Sequence, residues 1–261
     1  MWMCPTPCEG ALPGKLRFYD CHCRVGSSQK QRPETRLGWD GLSRVFAHCG
    51  IERALVVHAH ALELDPLEGN RRLAHACRER PELLPCFVLL PQHTGEMPQG
   101  DKLLAYLTEG GAKAVRLCPR LHRFSLAETW SGNLLSTLDE AGYPVLLAAN
   151  EVGYEELHGV LRAHPGLSVV LLRPWYRDAR WLYPLLEKFD RLYVEISLYQ
   201  PFRGLEELAL RFGPERLLFG SGLPDFDPCA TVSAVRWADL PWDWLEAIAW
   251  KNLSRLLKLG A

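Results

Sequence analysis

One short segment of the sequence combines several residue types that can do chemistry. In FYDCHCRVG, ionisable side chains alternate with two cysteines, in the order Asp20, Cys21, His22, Cys23, Arg24. Because side chains alternate between the two faces of a β-strand, we expect Asp20, His22 and Arg24 to share one face. A carboxylate beside an imidazole suits general acid–base catalysis, so Asp20 and His22 are the predicted catalytic residues. The two cysteines are predicted to face the other way, as small buried side chains.

Arginines recur where later apolar segments end. Arg116 lies in AVRL, and Arg173 follows VVLL. Planar guanidinium groups bind carboxylates and phosphates through paired hydrogen bonds. We therefore predict that Arg24, Arg116 and Arg173 bind a small anionic or carboxylated ligand, with Glu195 in the same site and Trp175 stacking on the ligand. Two alternatives remain open: Trp175 packs only within its own loop, and the arginines pair internally with nearby carboxylates, from the set Asp20, Glu151, Glu195 and Asp225.

A second group of histidines lies close to these residues. His58 and His60 are two positions apart at the end of the apolar segment RALVVHAH. If both lie on one strand face beside His22, the three imidazoles offer a ligand set that suits zinc. The alternative is that both are hydrogen-bonded histidines at the end of a strand. We expect no metal or other cofactor, and keep zinc or another divalent metal at these three residues as the alternative.

Short apolar runs alternate with amphipathic stretches from one end of the chain to the other. Glycine or proline follows most of the helical segments, as in HCGIERA, EGGAKAV and EAGYPVL. Repeated strand–helix units joined by short links favour a (β/α)8 barrel, an α/β fold, over an open doubly wound sheet. The predicted strands are Leu16–Val25, Arg53–His60, Leu83–Leu90, Ala112–Cys118, Pro144–Ala149, Leu167–Leu172, Leu192–Leu198 and Arg216–Ser221. The predicted helices are Trp39–Cys49, Asn70–Glu79, Asp101–Glu109, Asn133–Ala141, Tyr154–His164, Arg177–Phe189, Leu205–Phe212 and Pro228–Ala238.

The remaining segments and the composition complete the prediction. Residues 1–15 are expected to be a flexible lead-in, and 16–261 a single barrel domain. An extra helical segment, Trp242–Leu259, is expected to pack on the outer shell of the barrel or between two copies of the chain. The 30 basic and 31 acidic residues are spread evenly, which argues against binding to nucleic acid or to a membrane surface. Nine cysteines without an export signal favour reduced thiols and a cytoplasmic location.

The ordered set of motifs resembles the amidohydrolase superfamily, specifically the amidohydrolase-related (amidohydrolase 2) group. FYDCHCRVG is similar to the group's first-strand motif, Asp-x-His-x-His followed by glycine. GGAKAVRLCP, AGYPVLLAAN, HPGLSVVLL, LYVEIS and ERLLFGSGLPDFDP are similar to its later units in the same order. The resemblance implies a barrel fold and a divalent metal that activates water or holds a carboxylated substrate for decarboxylation.

The resemblance also implies which positions would bind that metal. They are two histidines of the first strand, a histidine after each of the fifth and sixth strands, and an aspartate after the eighth. In this sequence those positions hold His22, Arg24, Ala148, Arg173 and Gly222. Only His22 keeps the expected residue type, so the resemblance predicts a metal site that has been largely lost.

Two classes of function follow from this combination. The first is a hydrolase or related lyase of a small carboxylated compound, acting without a metal around His22. The second is a non-catalytic barrel that binds a small anion or a protein partner. The serine in FGSG is not expected to be a nucleophile, because Gly-x-Ser-x-Gly is incomplete there.

Overall fold

Eight parallel strands follow one another around a barrel in chain order. The computed structural model describes residues 14–28 and 37–259. Each strand pairs in parallel with the next one along the chain. The strands are β1 (Phe18–Val25), β2 (Ile51–His58), β3 (Leu83–Val88), β4 (Ala114–Leu117), β5 (Val145–Ala148), β6 (Val169–Leu172), β7 (Leu192–Glu195) and β8 (Leu217–Leu218).

Backbone hydrogen bonds join the first strand to the segment that begins with the eighth. The amide of Cys21 donates to the carbonyl of Phe219 at 3.0 Å. The amide of Gly222 donates to the carbonyl of His22 at 2.9 Å. The backbone amide of Arg24 donates to the carbonyl of Leu223 at 2.8 Å. These bonds bring the two edge strands together, and the predicted (β/α)8 barrel is confirmed.

Helices alternate with the strands and cover the barrel. They are α1 (Trp39–Cys49), α2 (Ala59–Glu63), α3 (Pro66–Arg78), α4 (Asp101–Glu109), α5 (Glu128–Ala141), α6 (Tyr154–Ala163), α7 (Ala179–Lys188), α8 (Gly204–Phe212) and α9 (Pro228–Arg236). Glycines in the left-handed conformation end α1 and α5, with φ of 75° at Gly50 and 71° at Gly142. Only glycine adopts this conformation without steric cost, which explains why HCG and EAG marked helix ends in the sequence.

Side chains of the strands divide between two buried layers. An outer layer, which includes Phe18, Cys23 and Val25 of β1, packs against the helices. An inner layer, which includes Tyr19 and Cys21, has members from all eight strands. The prediction that both cysteines face the helices was therefore wrong for Cys21. The physical reason is a β-bulge, because the register against β2 shifts between Asp20 and Cys23 and breaks the simple alternation of faces.

The C-terminal helical segment closes one end of the barrel. It consists of α10 (Trp242–Glu246), a wider turn over Ala247–Lys251, and α11 (Asn252–Leu256). Leu253 and Leu257 join the inner layer, and the ring of Trp250 lies 5.7 Å from that of Tyr19 near the start of β1. The segment therefore packs against the barrel interior as well as its shell, because its apolar side chains cover the end at which the strands begin.

Other boundaries differ from the predictions in small ways. β2 runs from Ile51 to His58 and α2 begins at Ala59, so the predicted strand, Arg53–His60, was placed two residues too late. α3 begins at Pro66, where Asp65 accepts a hydrogen bond from the Glu68 amide. Residues 1–13, most of the predicted lead-in, lie outside the described residues. Within the described ranges, no helix has the length and apolar character needed to cross a membrane.

Candidate functional site

Five polar side chains from different strands form one site where the strands end. His22 and Arg24 lie in the second half of β1, and Arg116 lies in β4. Arg173 follows β6, and Glu195 is the last residue of β7. In (β/α)8 barrels this end carries the functional residues. We call this group the barrel-mouth site.

The imidazole of His22 faces a buried carboxylate. His22 Nδ1 lies 3.4 Å from Glu195 Oε2, and the Glu195 side chain is fully buried. Burial lowers the pKa of His22, and the nearby carboxylate offsets this only in part, so the ring is neutral at pH 7. A carboxylate can only accept, so the Nδ1–H tautomer faces Glu195 and Nε2 is the nitrogen left to take a proton.

Several groups hold Glu195 in its ionised form. The hydroxyl of Ser197 donates to Oε2 at 3.0 Å, the amide of Ser197 donates to Oε1, and the amide of Arg173 donates to Oε2 at 3.0 Å. Burial raises the pKa of Glu195, but interactions with His22 and Ser197 outweigh burial and hold the pKa below its ordinary value. Gly220 leaves space for the carboxylate, since a Cβ there would lie 2.4–2.6 Å from the Glu195 side chain.

The carboxylate of Asp20 makes its hydrogen bonds elsewhere. Asp20 Oδ1 accepts from the amides of His22 and Ser221, each at 2.9 Å, and Oδ2 accepts from the Ser221 hydroxyl. Burial raises the pKa of Asp20 to about 7, although these hydrogen bonds act in the opposite direction. Asp20 therefore positions the His22 backbone across the junction between β1 and the segment after β8, while Glu195 is the carboxylate that faces the His22 ring.

The three arginines differ in how their charges are balanced. Arg24 pairs with Asp225, with Nη2 and Oδ1 2.7 Å apart. Arg116 and Arg173 form no ion pair with another described residue. Burial lowers the pKa of Arg173, and the positive charges of Arg116 and Arg24 lower it further. The arginines therefore lie close enough to act on one another, and internal pairing accounts for only one of them.

Three buried polar atoms of this site have no hydrogen-bond partner among the described residues. They are His22 Nδ1, Arg24 Nη1 and Arg116 Nε. Leaving a buried polar atom unpaired costs about 1–3 kcal/mol, and more for a charged group. Arg173 has a left-handed backbone, with φ of 52°, and its guanidinium lies 5.9 Å from the ring of Phe226. Phe226 therefore borders the site, although the sequence analysis did not identify it as a site residue.

His58, His60 and Trp175 do not join the barrel-mouth site through any described contact. His58 caps α2, because its Nδ1 accepts the amide of His60 at 3.0 Å. Burial lowers the pKa of His58 to about 4, with a smaller effect of His60. His60 lies in α2, so the prediction that both histidines share a strand face was wrong. Trp175 is 56% exposed and contacts the neighbouring ring of Tyr176.

Solved structures of similar fold cover nearly the whole chain. An uncharacterised TIM-barrel protein from Bordetella bronchiseptica is 17% identical, with a TM-score of 0.74 over 93% of this chain and 99% of its own. A 5-carboxyvanillate decarboxylase from Novosphingobium aromaticivorans, complexed with manganese and a nitrobenzoic acid, is 14% identical, with a TM-score of 0.75 over 94% and 96%. A proposed 2-pyrone-4,6-dicarboxylic acid hydrolase from Pseudomonas putida is 19% identical, with a TM-score of 0.72 over 95% and 99%. No curated protein matches the chain.

The manganese of one neighbour makes a divalent metal the cofactor to test against this site. The positions that the resemblance assigns to ligands do not fit it. Arg24 and Arg173 have no lone pair to donate, and Ala148 and Gly222 have no donor atom. Within residues 14–28 and 37–259, no group of three or more His, Cys, Asp or Glu side chains is arranged to hold a metal ion, and this includes the set of His22, His58 and His60.

The match at the level of sequence is to one family. The family model described as Amidohydrolase matches residues 40–259, which is most of the chain. The barrel, its strand order and the similar structures agree with this match. The chain therefore belongs to the amidohydrolase family.

Proposed function

We propose that the barrel-mouth site binds a small carboxylated compound without a metal and hydrolyses or decarboxylates it. The observation that carries the proposal is the set of buried atoms without partners, of which Arg24 Nη1 and Arg116 Nε are hydrogen-bond donors. An anion supplies the acceptors that these donors lack. The neighbours that act on carboxylated rings support the same class of ligand.

The charges of the site favour a single carboxylate. Arg24 is neutralised by Asp225, whereas Arg116 and Arg173 keep their charge without an ion-pair partner among the described residues. Glu195 balances one of these two charges, that of Arg173, whose pKa it raises against burial. The remaining positive charge matches one carboxylate bound between Arg116 and Arg173, where burial strengthens the interaction.

The histidine and glutamate supply the chemistry of the proposed hydrolysis. Neutral His22 removes a proton from water through Nε2 as the water attacks the substrate carbonyl. Glu195 stabilises the imidazolium that forms, and the protonated ring then donates that proton to the leaving group. A guanidinium stabilises the negative charge that develops on the carbonyl oxygen.

One observation favours a second function, in which the barrel binds an anion or a protein partner without catalysis. His22 Nδ1 lies 3.4 Å from Glu195 and makes no hydrogen bond with any described residue. A catalytic pair ordinarily lies within about 2.6–3.2 Å, although such pairs often tighten only when substrate binds. In this second function the arginines bind the ligand and His22 transfers no proton.

The test uses protein treated with a chelator, so that no metal contributes. Benzoate, phthalate and phosphate are added separately while thermal unfolding is recorded, with Arg173→Gln and Arg116→Gln as variants and the exposed Arg162→Gln as the control. A ligand at 100 times its Kd adds about 2.7 kcal/mol of stability. We expect a carboxylate to stabilise the wild type and the control, and to lose most of its effect in the two site variants.

A separate assay decides between catalysis and binding alone. The stabilising carboxylate class is presented as esters, lactones and ring acids, and products are followed by NMR with wild type and His22→Gln. Turnover that survives the chelator and disappears in His22→Gln supports the hydrolase or lyase. Binding without turnover supports the second function. If no anion stabilises the wild type, the proposed hydrolysis and the binding of a small anion are both wrong, and only the protein partner of the second function is left.

A further inference from the structure

A cleft of about 450 Å³ lies between the segments that follow β3 and β4. Leu90 and Glu96 line it from one side, and His122, Arg123, Phe124 and Trp130 line it from the other. We call it the outer cleft. Its volume lies within the range of small-molecule sites, roughly 300–1,000 Å³. None of its described lining residues belongs to the barrel-mouth site.

A histidine of the outer cleft has a defined tautomer. His122 Nε2 lies 2.7 Å from the carbonyl oxygen of Leu62. A carbonyl can only accept, so Nε2 carries the hydrogen and Nδ1 of the neutral ring is an acceptor. His122 Nδ1 is buried and has no hydrogen-bond partner among the described residues. A residue that lines the cleft therefore carries a buried acceptor without a partner, which a hydroxyl or N–H group of a ligand would satisfy.

Next to this histidine lies an exposed cation. Arg123 has a left-handed backbone, with φ of 59°, inside a turn where the amide of His122 donates to Cys118 and that of Phe124 donates to Pro119, each at 2.9 Å. Arg123 forms no ion pair with any other described residue. Its charge is therefore available to an acidic group, through a charge-assisted hydrogen bond.

The remaining walls are apolar or aromatic. Leu90 and Phe124 are partly buried against the core, and Trp130 is 56% exposed. His93 joins the two sides, because its Nε2 lies 2.9 Å from the carbonyl oxygen of Trp130. A flat ring is the ligand shape that aromatic walls of this kind favour.

We propose that the outer cleft is a second binding site, for a small aromatic acid that carries a ring N–H or hydroxyl. The ring packs between Phe124 and Trp130, the acid binds Arg123, and the ring donor hydrogen-bonds to His122 Nδ1. Glu96 also lines the cleft and accepts a hydrogen bond from the Thr94 hydroxyl. Its negative charge opposes an acidic ligand, so removing the charge of Glu96 is expected to tighten binding, whereas removing the charge of Arg123 is expected to weaken it.

The first test varies the ligand and measures Kd by titration calorimetry. The probe is indole-3-acetate, which has a ring N–H and a carboxylate. We expect binding to weaken at least about fivefold for 1-methylindole-3-acetate, which lacks the donor, and more for 3-methylindole, which lacks the acid. If all three bind equally, or if indole-3-acetate does not bind, neither polar group recognises the ligand and the proposal is wrong.

The second test varies the protein, with thermal unfolding as the check that each variant folds. Arg123→Gln is expected to weaken indole-3-acetate about tenfold, and Glu96→Gln to tighten it several-fold. Tighter binding in Arg123→Gln together with weaker binding in Glu96→Gln would show that the cleft prefers a cation and would overturn the proposal. Arg162→Gln is expected to leave the Kd unchanged, and Arg173→Gln to leave the Kd of the outer cleft unchanged while weakening any second binding event in the barrel-mouth site. Loss of binding in Arg173→Gln alone would place the probe in the barrel-mouth site instead, whatever the outcome for the proposed hydrolysis.

Discussion

At the level of single residues, the barrel-mouth site depends on one carboxylate that is kept ionised inside the protein. Glu195 is fully buried, yet it faces His22 and accepts three hydrogen bonds, two from Ser197 and one from the Arg173 amide. Those contacts require space beside the carboxylate, and Gly220 provides it. The position of the Glu195 carboxylate beside His22 therefore depends on Gly220, a residue without a side chain.

The Gly220→Ala variant tests this dependence. The added Cβ would meet the Glu195 side chain at 2.4–2.6 Å, so the carboxylate must shift from its present position beside His22. We expect a loss of about 1–3 kcal/mol of stability from overpacking, and a His22 pKa still lower than in the wild type because the carboxylate supports the imidazolium less. The free energy of unfolding and an NMR titration of the His22 ring measure the two effects.

A matched substitution controls for the change of glycine to alanine itself. Gly159 lies within α6 and has nothing within 4 Å of an added Cβ. Gly159→Ala is therefore expected to stabilise the protein by about 0.5–1 kcal/mol and to leave the His22 titration unchanged. An unchanged titration in Gly220→Ala as well would mean that Glu195 does not set the pKa of His22.

At the level of elements, the sequence predicted the strands well and their local irregularities poorly. Apolar runs bounded by glycine or proline correctly located all eight strands, because burial on both faces leaves a continuous apolar pattern. The bulge in β1 left no such pattern, so the face of Cys21 was predicted wrongly. Asp20 was predicted to be catalytic beside His22, whereas the structure shows it bonded to Ser221, which lies 201 positions away, and no local pattern reports that contact.

A buried amide in the C-terminal helical segment bonds to the barrel beside β8. Asn252 Nδ2 donates to the carbonyl oxygens of Pro214 and Leu217, at 2.7 and 2.9 Å, just before and at the start of β8. We expect Asn252→Leu to destabilise the protein by about 2–4 kcal/mol, because two buried carbonyls lose their donor. Chemical denaturation measures this cost. Asn133→Ala, at an exposed position of α5, is the control and should change stability by less than about 0.5 kcal/mol.

At the level of the whole molecule, the barrel closes where β1 meets the segment after β8. β8 itself has only two residues, so side chains reinforce the backbone bonds across this junction. Asp20 accepts from the amide and the hydroxyl of Ser221. The junction is therefore a place where a titrating group acts on the stability of the entire fold.

Because Asp20 titrates at this junction, we expect the stability of the protein to depend on pH. Burial raises the pKa of Asp20 to about 7 in the folded state, against 3.8 for an ordinary aspartate. Well below pH 3.8 the group is protonated in both states and does not change the free energy of unfolding. As the pH rises to 7, the unfolded chain releases its proton more readily, so the free energy of unfolding falls by up to roughly 3–4 kcal/mol.

The Asp20→Asn variant tests this dependence, because Asn at this position mimics the protonated acid and does not titrate. Relative to Asp20→Asn, we therefore expect the wild type to lose stability steadily between pH 4 and 7 and to remain level above it, as measured by urea denaturation at each pH. The same comparison with Asp101→Asn, at an exposed position of α4, should show no such loss between pH 5 and 8. A wild-type curve parallel to that of Asp20→Asn would mean that Asp20 is ionised throughout this range and that the junction is held by a charge.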